Sequence, residues 1–177
     1  IPLCLVGSEM CIRDSRKLKP ALEIDLSGIA KGFAVDQVTA RLESMGIESY
    51  LVEVGGEVRC RGKKSNGAPW KTGIRRPIPG RGEIVEAVVL DSRSIATSGD
   101  YENFVLIDGV SYSHTIDPKT GFPIQNGLTS VSVVADDCMT ADALATAVSV
   151  LGHQKGEDLV KSLSLIHISE PTRHRGL

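Results

Sequence analysis

DLSGIAKGFAVD, residues 25–36, sets a carboxylate (Asp25), a hydroxyl (Ser27), two glycines and a lysine (Lys31) where an extended segment runs into a helix. Glu23-Ile24-Asp25-Leu26 reads as a short strand. Ser27 is a plausible N-cap, with Ala30, Ala34, Val38, Leu42 and Met45 following at helical spacing. Gly46 stands where a left-handed residue would close the helix.

Outward from that helix the period changes. Tyr50, Val52 and Val54 alternate with Leu51 and Glu53, which predicts a strand over 49–59; Gly55-Gly56 interrupts it, implying a bulge or a close backbone approach. Residues 63–69 form a polar loop. Further strands are expected over 70–74, 84–90, 94–97, 104–107 and 110–114. Turns are expected at Asp91-Ser92, at Ser98-Gly99-Asp100-Tyr101, and over 117–121, and Asp108-Gly109 is a strong hairpin signal. Residues 129–135 alternate, with Val131 and Val133 on one face. A second helix covers about 140–151, ending at Gly152, and a weaker helical stretch covers 156–161. Hairpins between two good helices predict an α+β fold, a mainly antiparallel sheet packed with two principal helices.

The chain has 177 residues, 41% of them hydrophobic, and a formal charge of -2, which suits one α/β or α+β domain with a real core. That balance argues against a nucleic-acid binder, which carries a basic patch or stripe. No apolar run approaches the ~20 residues of a spanning helix. Cys4, Cys11, Cys60 and Cys138 show neither CxxC nor zinc spacing. The flanks 1–15 and 163–177 lack the periodicity of the rest. They resemble translated sequencing-adapter read-through and are expected to be non-native, leaving 16–162 as the informative domain.

Several residues have the chemistry of a site. Asp142 and Thr146, at i and i+4, share one helix face and bring a carboxylate and a hydroxyl toward one cation. Magnesium takes oxygen ligands, few of them protein carboxylates. The plainer reading is that Asp142 complements a helix N-terminus while Thr146 is buried. Lys31 is either a solvated first-turn lysine or the partner of an anion bound at that helix end, and Asp25 either assists capping or touches a ligand. Gly28 leaves its backbone accessible. Gly55 and Gly56 are a bulge or a place where a dinucleotide approaches the strand. His114 is a structural histidine or a base beside the rigid turn 117–121.

Taken together, DLSGIAKGFAVD (25–36), VGGEVRCRG (54–62), ATSGDY (96–101), HTIDPKTG (114–121) and ADALATA (141–147) resemble the ApbE family, the FAD:protein FMN transferases. The resemblance implies cleavage of the FAD diphosphate, attachment of FMN to a threonine hydroxyl of a partner protein, and release of AMP. It implies magnesium held by Asp142, Thr146 and the Gly28 backbone oxygen. It implies contacts of Asp25, Lys31 and Ile116 with FAD, Gly55 and Gly56 lining the flavin nucleotide, and His114 as general base. Ser98, Gly99 and Asp100 belong to a family block without individual roles. Acceptors would be flavoprotein subunits such as those of sodium-translocating NADH:quinone reductase or related electron-transfer complexes. The location would be that of a bacterial inner-membrane lipoprotein facing the periplasm. A family segment before DLSG is expected to be absent and the end to be cut after 161–162, so the domain is expected to be partial. Other readings are a magnesium-dependent FAD diphosphatase giving FMN and AMP, and a non-catalytic flavin-binding protein.

Overall fold

A computed structural model of the chain describes residues 16–78, 82–99 and 104–163; the expected flanks 1–15 and 163–177, apart from Leu163, and Asp100 and Tyr101 of the 96–101 block, lie outside them. Helix α1 (Ser27–Ser44) opens the fold. It is followed by strands β1 (Tyr50–Val54), β2 (Glu57–Arg61), β3 (Trp70–Arg75), β4 (Ile84–Leu90), β5 (Ser94–Gly99), β6 (Phe104–Ile107), β7 (Val110–Ser113) and β8 (Ser130–Ala135), then helix α2 (Cys138–Ser162). Strands β1-β2-β5-β8 form a four-stranded antiparallel sheet, while β3-β4 and β6-β7 are separate ribbons. The expected α+β architecture is what the chain adopts.

Period-two alternation explains the layering. On one face of the sheet, Val131 and Val133 pack on Ala145, Val148 and Val160 of α2, and Ala96 and Ala135 meet Ala141. On the other, Val58, Cys60 and Ile95 join Leu90, Trp70, Ile74 and Val88 of the β3-β4 ribbon. The sheet is therefore clamped between α2 and a hairpin, which is why β8 is buried on both faces rather than along the Val131–Val133 face alone.

Helix α1 differs from its sequence reading in three ways. Residues 23–26 form no strand, because Asp25 Oδ1 accepts the Ser27 N–H at 2.7 Å and bends the chain into the helix. The capping residue is Leu26, with no side-chain cap, so Ser27 is already helical. The helix buries Gly32, Val35 and Thr39, whereas Ala30, Val38 and Met45 are exposed. Close packing decides that face: a Cβ on Gly32 would lie 2.4 Å from the Cys138 carbonyl oxygen. The end is as expected, with Gly46 at φ +79°, its N–H bonded to Glu43 O, and Ile47 N–H bonded to Leu42 O.

Two turns also differ. Gly55-Gly56 is no bulge but the two-residue loop of the β1-β2 hairpin, with φ of 60° and 100° and Val54 paired to Glu57. Ser98 and Gly99 are not a turn; they extend β5 and pair with Val131 and Ser130. Asp108-Gly109 closes the β6-β7 hairpin as the dipeptide predicts. In α2, Gly152 at φ 78° breaks the helix where expected, and the following turns place Gly156 against Val148. Among the described residues no helix is long and apolar enough to cross a membrane.

Candidate active site

The first turns of α1 cross α2 closely enough to bring the residues of 25–36 and 141–147 together. A Cβ on Gly28 would sit 3.0 Å from Thr146 Cγ2 and 3.2 Å from Thr146 Oγ1, so a glycine here lets the backbone approach the hydroxyl. One turn later, the Gly32 N–H donates to Asp142 Oδ2 at 2.9 Å. Ser98 Oγ lies 3.3 Å from Thr146 Oγ1, giving Ser98 a place that sequence reasoning left open.

Asp142 is only 3% exposed. Burial holds its carboxyl above the usual aspartate range, opposed by the Gly32 N–H and the Lys31 charge. Of its two carboxylate oxygens, Oδ2 is the one committed to the Gly32 N–H. Asp142 Oδ1, Thr146 Oγ1 and the Gly28 carbonyl are hard oxygen donors, the set that magnesium favours, and a cation would relieve the desolvated charge. These residues fit the ion. No three His, Cys, Asp or Glu side chains converge among the described residues, so a cation here would rest on one carboxylate with carbonyl and hydroxyl oxygens.

Lys31 is not a merely solvated lysine. Its Nζ lies 2.7 Å from Glu57 Oε1 and 3.4 Å from the Gly55 carbonyl oxygen. Glu57 was not singled out by sequence reasoning. It is 1% exposed, and among the described residues its Oε2 has no hydrogen-bond partner. Burial raises its carboxyl above the usual range, Lys31 opposes, and the Asp142 charge adds to the rise. The available signal was a glutamate at the buried start of a strand otherwise lined by Val58 and Cys60.

Asp36, the last residue of the 25–36 stretch, ties the site's two helices together. Its Oδ1 accepts the Cys138 N–H at 3.0 Å and its Oδ2 the Met139 N–H at 2.8 Å; Arg59 also bonds to Oδ1 at 2.9 Å. Asp137 caps the same end through the Thr140 N–H. A carboxylate from another helix thus satisfies the free amides and positive end of α2.

The remaining expected residues are Asp25, Gly56, His114 and Ile116. Asp25 is exposed, and the Ser27 N–H holds its carboxyl below the ordinary value. Gly56 has open space where a side chain would be, and its N–H bonds to Glu53. His114 and Ile116 are exposed on the segment after β7, where Ile116 bridges to Pro123. No hydrogen bond joins Ile116 to the α1–α2 residues among the described residues. The structure therefore gathers Gly28, Asp142 and Thr146 in one place and Lys31 and Gly55 beside them.

Comparison with known proteins shows the family of the chain. The sequence profile of the ApbE family matches residues 4–168. An FAD:protein FMN transferase of Vibrio cholerae is 49% identical over 137 residues, which is 77% of this chain and 41% of that protein. Another, of Haemophilus influenzae, is 44% identical over 168 residues, 90% of this chain and 49% of that protein. The solved structure of the flavin transferase ApbE from Vibrio cholerae superposes with a TM-score of 0.71 at 43% identity, covering 86% of this chain and 49% of that one. The chain thus spans less than half the length of these relatives.

Proposed function

The chain belongs to the ApbE family, and from that premise we propose that its protein transfers FMN from FAD to a threonine hydroxyl of an acceptor protein, with magnesium, releasing AMP. The observation that carries this reading is the meeting of Gly28, Asp142 and Thr146 at the α1–α2 crossing with Lys31 one helix turn away.

A diphosphate repels an incoming oxygen until its charge is offset. Asp142, Thr146 and the Gly28 carbonyl would hold magnesium, which when bound supplies that offset as a Lewis acid. Lys31 adds a positive charge from the first turns of α1, and Gly55 and Gly56 keep the hairpin tip open to the nucleotide. Asp25 and the Ile116 backbone complete the FAD contacts. His114 takes the proton as the threonine oxygen bonds to the FMN phosphorus, since a neutral hydroxyl is a weak nucleophile. The bond from that phosphorus to the bridging oxygen breaks, and AMP leaves with the bridging oxygen.

We place the acceptor among flavoprotein subunits of electron-transfer complexes, such as sodium-translocating NADH:quinone reductase, on the outer face of a bacterial inner membrane. The test incubates the protein with FAD, magnesium and a threonine-bearing acceptor subunit, then reads flavin fluorescence on the denatured acceptor. Covalent fluorescence there supports the transferase. AMP and free FMN without it would make the protein an FAD diphosphatase, and FAD binding without AMP would make it a flavin carrier.

A further inference from the structure

We propose that Glu57 is a positioning residue for the nucleotide: it pins Lys31 so that one ammonium N–H stays free for a phosphate oxygen beside the Gly55-Gly56 turn. This rests on the reading of Lys31 as an FAD contact and names the residue that sets the direction of that lysine.

A lysine ammonium carries three donors. Glu57 Oε1 takes one at 2.7 Å and the Gly55 carbonyl oxygen takes a second at 3.4 Å, leaving one on a side chain that is 46% exposed. The glycine at 55 suits this posture, because a Cβ there would lie 3.0 Å from Lys31 Cδ and crowd the lysine stem. Without its two acceptors the long, flexible lysine would sample many rotamers in water, and ordering it would fall to the ligand.

Glu57 is poorly explained as a structural residue. Its carboxylate is 1% exposed, its Oε2 is unpartnered among the described residues, and its partner Lys31 is half in solvent. Replacing such a buried, half-satisfied charge by an apolar side chain of similar volume is often neutral or stabilising. A residue kept only for packing at the start of β2 would be apolar. Half-satisfied buried carboxylates beside a cation gather instead at binding sites.

The inference separates stability from binding. FAD and riboflavin affinities, read by flavin fluorescence, and melting temperatures are measured for the chain and its variants Glu57→Met, Lys31→Ala and the double variant. Glu57→Met is expected to melt at or above the wild-type temperature while binding FAD about tenfold more weakly, the size of one lost charged hydrogen bond. Riboflavin, which has no phosphate, should bind unchanged, and the double variant should match Lys31→Ala. Wild-type FAD affinity in Glu57→Met alongside weakened Lys31→Ala overturns the inference alone. So does a fall in melting temperature with equal loss of both ligands, or failure to fold, because either outcome makes Glu57 structural. Undiminished FAD affinity in Lys31→Ala, or none in the wild-type chain, overturns the reading of Lys31 itself.

Discussion

The Gly32 N–H donates to Asp142 Oδ2 at 2.9 Å, joining residues 110 apart in sequence at the crossing of α1 and α2. The bond is possible because Gly32 has no side chain to hold the helices apart. A fold contact and a candidate metal ligand are thus one feature, and changes to either helix should be felt in both.

Gly32→Ala is expected to destabilise the chain by roughly 2–3 kcal/mol, since its Cβ would meet backbone at 2.4 Å and the helices must separate. Gly46→Ala is the control: nothing lies within 4 Å of its Cβ, so only the left-handed φ of +79° is penalised, at about 1 kcal/mol. Urea denaturation of both variants checks the ranking. A Gly46 effect as large as that of Gly32 would contradict a packing-limited crossing.

Asp36→Ala removes the acceptor of two α2 amides and the partner of Arg59, and should cost about 2 kcal/mol. Asp36→Asn keeps one acceptor and should fall between. Thermal denaturation reads both, with retained helical circular dichroism below the transition.

The fold class was legible because its signals are local. Gly46 and Gly152 mark helix ends, Asp108-Gly109 marks a hairpin, and 129–135 marks a strand. Asp142 and Thr146 were legible as a pair because a helix puts i and i+4 on one face. What was hidden is long-range. Nothing near Lys31 announces Glu57, and nothing near Asp36 announces the amides of Cys138 and Met139. The strand over 23–26 does not form because the Asp25 carboxylate takes the Ser27 N–H and turns the chain into α1, a local contact that a strand reading overlooks. The buried face of α1 was misread because hydrophobicity ranks alanine and valine above glycine, whereas the crossing selects the smallest residue.

Glu57 should leave a mark on the pH dependence of stability. Burial sets its folded-state pKa above the ordinary 4.5, with Lys31 opposing and Asp142 adding. Protonation therefore favours the folded state: this contribution is complete below the unfolded pKa and is lost as pH rises through the folded one. Asp142 acts in the same direction. Glu57→Gln should flatten the decline in urea midpoint as pH rises above about 4.5. A pH-independent difference between wild type and variant would show that Glu57 does not titrate on folding.

Cys138 is fully buried, and burial, with the Asp36, Glu57 and Asp142 charges, pushes its thiol up to about 12. At pH 8 iodoacetamide should alkylate it only after unfolding. Mass spectrometry of the folded and urea-treated chain checks this, and rapid labelling of the folded form would show that the α1–α2 crossing opens.

The central claim is that Asp142 holds the cation on which FAD cleavage depends. Magnesium-dependent AMP release from FAD, measured for wild type and Asp142→Ala at matched FAD saturation, tests it most directly. Wild type should release AMP in a reaction that disappears on chelation, and Asp142→Ala should release none above background even at high magnesium. Undiminished release from Asp142→Ala would contradict it.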